Sequence, residues 1–242
     1  MRIEQAYVPS PLHAREFYDK FNIVEYTDLD APACFFGAHV SILDKIRKHR
    51  GPLTLIWIGM DAYNMSIGKH DVGLVNKHRN ISTSRSIQRV LDANEVKNEY
   101  YPISCFKFEG IKPAPLGDKI YFYYGRKDLY QYDLMKRVEA RIPYEVVWVN
   151  GWQGHTREEI FEIYKSCRCG VRLREIDGFS NTGIELGLLG RIVIHNGDAP
   201  NNIHYTGEDD IVEKILAPKP DIYKVSYDMQ RFIDIGDEWL YF

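Results

Sequence analysis

At 242 residues, with 45% hydrophobic and 27% charged side chains, the chain has the composition of a globular protein with room for one large or two small domains. A net charge of −3 and the want of a long Lys/Arg block exclude a nucleic-acid tail, the nearest run being Lys45 to Arg50 at a helix end. Cys34, Cys105, Cys167 and Cys169 form no CxxC pair and have no His at zinc spacing, and no run suits a signal peptide or reaches the ~18 apolar residues of a membrane span, so a cytoplasmic chain with reduced thiols is expected.

Residues 1 to 110 alternate short apolar runs with helical patterns. Ile3 to Val8 is expected to be a strand ended by Pro9-Ser10-Pro11, and Leu12 to Phe21 a helix. Asn22 to Tyr26 and Ala33 to Phe36 follow as strands, the second running into Gly37-Ala38-His39. A helix from Ser41 sets Ile42, Leu43 and Ile46 on one side; Gly51-Pro52 breaks it, and Leu53 to Ile58 is the most apolar strand of this half. Such β–α–β alternation implies a parallel sheet, and ligands gather beyond the carboxyl ends of its strands, where Gly37, His39, Gly59 and Asp61 fall. His39 reads either as a hydrogen-bonded strand-end residue or as a catalytic one; Asp61 either opens a turn or meets a ligand. Asn80 to Ser84 predicts a strand leading to Ser84 as the N-cap of a helix carrying Ile87, Val90 and Leu91.

Pro102, Gly110, Pro113, Pro115 and Gly117 are the densest breaker cluster and place a boundary between a first domain, 1–110, and a second, 111–220, with a tail, 221–242. Lys119 to Tyr124 predicts a strand, followed by Gly125-Arg126-Lys127-Asp128 and a helix to about Arg141. Tyr144 to Val149 is another strand, closing on Asn150-Gly151-Trp152, where Trp152 would stack on a base or pack under a loop. Thr156 to Glu159 is a capping box for a helix with Ile160, Phe161, Tyr164 and Cys167 on one face, a packing helix without chemistry.

The centre of this half is Asp177-Gly178-Phe179-Ser180-Asn181-Thr182-Gly183-Ile184-Glu185. It follows an alternating strand (Val171, Leu173) and enters a helix carrying Ile184, Leu186, Leu188 and Leu189, which Gly190 stops before Ile192-Val193-Ile194. Glycines and small polar residues at a helix start leave N–H donors that suit a phosphate, with the carboxylates of Asp177 and Glu185 flanking them. Ordinary cap chemistry also fits, with Ser180 or Asn181 as N-cap and Glu185 solvated. A helix from Ile211 to Leu216 and an aromatic tail (Tyr223, Tyr227, Phe232, Trp239, Tyr241, Phe242) complete the chain.

On the 177–185 loop the sequence resembles the nucleotide-sugar glycosyltransferases of the GT-B fold, in particular the retaining family-four type, which carry an acid, Gly-Phe, and a second acid eight positions after the first. The resemblance implies two Rossmann-like α/β domains with parallel sheets facing a cleft, trimmed in size. It implies a catalytic group of Asp177, Arg126 and His39, a donor site of Gly125, Lys127, Gly151, Gly178, Phe179, Ser180, Asn181, Thr182 and Glu185, with Glu185 at the ribose, and an acceptor side of Gly37, Gly59 and Asp61. Three positions depart from the family: Asp177 stands where Glu is usual, Ile58 where a His is frequent, and Gln131 where a Lys is found, so that either Lys127 or Lys136 substitutes or the second cation is missing.

The chemistry so implied is transfer of a hexose from a nucleoside-diphosphate sugar to a glycan, lipid-linked or other small acceptor, with retention and with neither cofactor nor metal. The aromatic tail is expected to cross back to the first domain, or to meet a dimer partner or a membrane surface. Two other readings stand beside this one. The three departures favour a catalytically inactive glycosyltransferase-like binding protein; a nucleic-acid-modifying glycosyltransferase would need Arg47, Lys48, Lys77, Arg79, Arg85 and Arg89 on one face. A dinucleotide-dependent oxidoreductase has no GxGxxG after the first strand to rest on.

Overall fold

The computed structural model describes residues 1–9, 11–150, 154–234 and 236–242. The chain divides into two compact units: Met1–Lys107 with Ile176–Phe179 and Ile235–Phe242, and Phe108–Glu175 with Ser180–Asp234. Each is an all-parallel sheet with helices on both faces.

In the first unit the elements run β1 (Gln5–Tyr7), α1 (Pro11–Phe21), β2 (Val24–Glu25), β3 (Ala33–Phe36), α2 (Leu43–Lys48), β4 (Leu53–Trp57), α3 (Met60–Ser66), α4 (Val72–Val75), β5 (Arg79–Ser82), α5 (Arg85–Ala93) and β6 (Glu99–Tyr100). The strand order is β2-β1-β3-β4-β5-β6. β3 and β4 are buried along their whole length, which is why both read as unbroken apolar runs rather than alternating ones. Neighbouring side chains on β3 still face opposite ways. Phe35 joins Leu55, Trp57, Ile87 and Leu91 in one core, while Phe36 meets Phe17 of α1 at 5.0 Å on the other face.

The chain end completes that second face. Trp239 is fully buried and lies 4.9 Å from the ring of Phe21. Arg79 donates to the carbonyls of Trp239 and Tyr241, both at 2.7 Å, and Ile3 N–H to Leu240 O at 2.7 Å.

The second unit contains β7 (Lys119–Tyr123), α6 (Tyr132–Glu139), β8 (Val146–Val149), α7 (Arg157–Ser166), β9 (Cys167–Val171), α8 (Asn181–Leu188), β10 (Ile192–Ile194), β11 (Asn202–Ile203), α9 (Glu208–Leu216) and α10 (Ile222–Ile233). Its order, β11-β10-β9-β7-β8, reverses direction between β7 and β9. Ile120 and Phe122 face Met135 and Ile211, and the intervening Tyr121 faces Tyr164, Leu186 and Val193.

The capping box at Thr156 is formed, with Glu159 N–H donating to Thr156 Oγ1 at 3.2 Å and Thr156 N–H to Glu159 Oε2 at 2.7 Å. Cys167, expected on that helix, instead starts β9: α7 ends at Ser166 and the strand follows without a loop. The aromatic run after 220 is not a single tail. Asp221 caps α10 through the N–H groups of Tyr223 and Lys224, and α10 packs on α8, with Ser226 Oγ donating to Leu188 O at 2.6 Å. Of this run, Ile235–Phe242 belongs with the first unit.

Candidate functional site

The expected site residues fall into two groups, one in each unit, and the acidic loop itself is shared out between them. In the first unit the carboxyl ends of β3 and β4 are tied by Asp61. Its carboxylate is fully buried and accepts N–H bonds from Ala38 (2.9 Å), Ile58 (3.0 Å), Gly59 (2.8 Å) and Ala62 (2.9 Å). Asp61 thus shapes the strand ends rather than presenting an open carboxylate to a ligand. Gly37 is buried there too, donating to Ile56 O at 2.8 Å. A side chain on Gly37 would meet the His39 imidazole, which folds back over it, at 2.6 Å.

His39 has a companion. His70 is 9% exposed and sits edge-on to Trp57 with ring centres 5.1 Å apart; burial pushes its pKa down, against the raising influence of Asp61.

Asp177 and Gly178 close the same group. Ser84 and Ser86 at the start of α5 donate to Asp177 O at 2.5 and 2.8 Å, and Ser84 Oγ also accepts from Ile87 N–H as the expected N-cap. Asp177 is 5% exposed, and its Oδ1 accepts from Gly178 N–H at 3.1 Å. Gly178 lies so close to β4's exit that a Cβ there would stand 2.0 Å from Ile58 O. Only glycine fits that approach. Phe179 is half-buried beside it.

In the second unit, Ser180 caps α8 by accepting from Gly183 N–H at 3.2 Å, so the positive end of an eight-residue helix begins at Asn181. Thr182 turns its hydroxyl inward to Tyr121 and Tyr164. Glu185 is fully buried, with Arg157 Nη2 3.5 Å from its Oε1. α7, expected only to pack, therefore supplies a cation to the acid that the sequence singles out. The capping box accounts for Thr156 and Glu159, and no periodicity marks Arg157.

The strand-end cations of β7 are placed less simply. Arg126 is exposed and pairs with Asp128 at 2.6 Å. Lys127 lies over the Tyr132 ring at 4.4 Å. Lys136 pairs with Glu139 at 2.8 Å, and Gln131 bonds Tyr205 at 3.1 Å. Gly125 is needed because a Cβ would reach the Tyr130 ring at 2.5 Å. Gly151 and Trp152 lie outside the described residues.

Two arginines that the sequence reading passed over stand at this strand end as well. Arg172 and Arg174 donate to the same Tyr130 oxygen at 2.9 and 3.0 Å. Their signal is the alternation itself: Val171 and Leu173 form the apolar face, and the interleaved arginines mark the other.

Of the cations a nucleic-acid groove would need, Arg47 pairs with Asp44 at 2.8 Å, and Arg79 is spent on the chain end and on Glu99 at 2.8 Å. Among the described residues no group of three His, Cys, Asp or Glu is placed to hold a metal ion, and no helix is long and apolar enough to cross a membrane.

By sequence, no family model and no curated protein matches the chain. By structure it is similar to glycosyltransferases. A TarM variant from S. aureus, solved with fondaparinux, alpha-GlcNAc-glycerol and UDP, aligns with a TM-score of 0.60 at 11% identity, over 95% of this chain and 56% of that one. Sucrose-phosphate synthase from Thermosynechococcus elongatus gives 0.60 at 12% identity, over 90% of this chain and 71% of that one. The lipopolysaccharide outer core galactosyltransferase WaaB, in its apo form, gives 0.55 at 13%, over 92% and 76%. Likeness at such identities fixes the fold alone: two parallel-sheet α/β units of the GT-B type, in a chain that spans 56% of the length of the TarM chain.

Proposed function

We propose that the protein is a glycosyltransferase that takes a sugar from a nucleoside-diphosphate sugar. The observation that carries this reading is the pairing, on one helix, of a capped N-terminus at Ser180 with a fully buried acid at Glu185, in a unit whose sheet order provides a ligand-binding switch point. The GT-B fold supports it. A carboxylate in that place suits the ribose hydroxyls, which would exchange the 3.5 Å contact with Arg157 for direct O–H···O⁻ bonds.

The leaving diphosphate departs with negative charge, and its stabilisation falls to the helix end and to Arg126. Fixed donors of this kind are typically worth ~3 kcal/mol each in a transition state. Asp177 orients the sugar, His39 stands on the acceptor side with Gly37 and Gly59, and a hexose moves with retention to a glycan or other small acceptor. The charge is met by protein groups, so turnover is expected to continue in a chelator.

Release of nucleoside diphosphate from a panel of nucleotide sugars tests the reading. Glu185→Gln and Arg126→Ala should each lower release by ~100-fold with an unchanged melting temperature. Wild-type rates in both variants would remove the site assignment; donor binding without any release would favour the inactive binding protein.

A further inference from the structure

Resting on the glycosyltransferase reading, we propose that the first unit seats an uncharged, outlying sugar unit of the acceptor in a pocket walled by α1 and the exits of β1 and β2. The pocket encloses about 380 Å³ and is lined by Val8, Ala14, Arg15, Tyr18, Asp19 and Glu25, a size within the usual range of small-ligand sites. None of the six belongs to the donor residues or to the strand exits at Gly37, His39, Gly59 and Asp61.

Its place follows from the sheet. The order β2-β1-β3 reverses direction between β1 and β3, the point of an open parallel sheet at which ligands collect. Tyr7 is paired with Phe35 and Ala6 with Glu25, so Val8 and Glu25 leave the sheet at the same edge as Gly37 and His39. Neighbouring strands stand ~4.8 Å apart; the β1 exit is one such spacing from the β3 exit, and the β2 exit two. A saccharide that presents one unit at the β3 exit can thus rest its next unit here.

The lining has the chemistry of a sugar site. Ala14 and Tyr18 stand one turn apart on α1, as do Arg15 and Asp19, and Glu25 of β2 completes the wall. Tyr18 is half-buried, and its phenol is held by the Val8 main chain. Burial, and then the Glu25 carboxylate, push its pKa up, so it meets a ligand as a neutral hydroxyl. Among the described residues no ion pair or side-chain hydrogen bond occupies Arg15, Asp19 or Glu25. The carboxylates are therefore open to accept from vicinal hydroxyls and the guanidinium to donate to them. Two carboxylates against one guanidinium give the pocket a negative balance, which disfavours a phosphate or a uronate and suits an uncharged ring laid against Tyr18.

A glycan array probed with the full chain tests this. It carries neutral oligosaccharides of glucose, galactose and N-acetylglucosamine beside their phosphorylated and free-amine counterparts, and the best-retained neutral oligosaccharide is then titrated calorimetrically into wild type, Asp19→Asn and Glu25→Gln. Both substitutions lie at exposed positions and keep side-chain size, so melting temperatures should not move. Wild type should retain neutral oligosaccharides in preference to phosphorylated ones, and each variant should bind about tenfold more weakly. Release of nucleoside diphosphate with water as the acceptor should be the same in all three proteins, since neither residue meets the donor. No neutral saccharide retained by wild type, retention of phosphorylated or amino sugars only, or affinities within about twofold of wild type in both variants overturns the proposal. Saccharide binding that depends on Asp19 and Glu25, with no nucleoside diphosphate released from any nucleotide sugar, leaves the pocket standing and removes the transferase reading instead, so the two failures are distinct.

Discussion

Two buried charges show how single residues tie strand ends together, Asp61 at the carboxyl ends of β3 and β4 and Arg191 at the amino ends of β9 and β10. Asp61 gathers N–H groups from Ala38, Ile58, Gly59 and Ala62, and so joins the exits of β3 and β4. Arg191 does the reverse in the second unit. It is fully buried, its pKa is lowered by burial, and it donates to the carbonyls of Ala114 (2.7 Å), Pro115 (2.6 Å), Lys165 (3.0 Å) and Cys167 (3.3 Å), and to Leu189. Charge-assisted bonds of this kind contribute ~1.5–3 kcal/mol each, and a buried group left without its partner costs the full desolvation penalty. Asp61→Asn replaces one acceptor oxygen by a donor facing N–H groups. It should destabilise the protein by about 2–3 kcal/mol in urea denaturation; a loss below ~0.5 kcal/mol would show that the strand exits hold without it.

At the scale of elements, the acidic loop is fastened at both ends by helix caps. Ser84 and Ser86 of the α5 start hold Asp177's main chain, and Ser180 caps α8. Ser86→Ala keeps the α5 cap, which is Ser84, and removes the bonds to Asp177 together with the 3.1 Å contact between the Ser84 and Ser86 hydroxyls. It should cost about 1 kcal/mol of stability and lower donor turnover severalfold, read from denaturation midpoints and from nucleoside diphosphate release. An effect on neither would detach the loop from the α5 start.

Much of this was legible in the sequence because local rules and tertiary demands agree there. The β–α alternation, the cap at Ser84, the box at Thr156 and the helix start at Ser180 all follow from periodicity and cap chemistry. What escaped reading lacks such a signature. β6 and β11 are two residues each and α4 is four, too short to show a period. Cys167 fits the helical face of α7, and the turnless passage into β9 is decided by sheet pairing that no local pattern announces. Arg157, Arg172 and Arg174 look like solvated charges until the fold sets a carboxylate or a shared phenol beside them. α10 does carry a local signature, with Asp221 as cap and Ser226 and Met229 at helical spacing, but its exposed aromatics mask the amphipathic pattern.

The whole molecule carries a pH dependence that follows from its first unit. His49, His70 and His78 each have a pKa lowered from the ordinary 6.5, chiefly by burial. The folded chain then binds these protons more weakly than the unfolded chain does. Below about pH 6.5 the unfolded state takes up more protons, so stability is retained above that value and falls as pH drops through and below it. Melting temperature should be flat from about pH 7 to 8 and decline from about pH 6.5 to 5, before most carboxylates titrate. A flat profile to pH 5 would show these imidazoles to be protonated as readily folded as unfolded.

The central claim, that α8 and Glu185 receive a nucleoside diphosphate, meets its most direct test in a thermal-shift screen. Wild type and Glu185→Gln would be melted with UDP, GDP, ADP and CDP and their sugars. Binding to the folded state alone contributes ~2.7 kcal/mol at 100 times Kd. At least one base series should therefore raise the wild-type melting temperature by several degrees, and Glu185→Gln should abolish most of that rise. No shift with any nucleotide, or a shift of equal size in Glu185→Gln, would contradict the account.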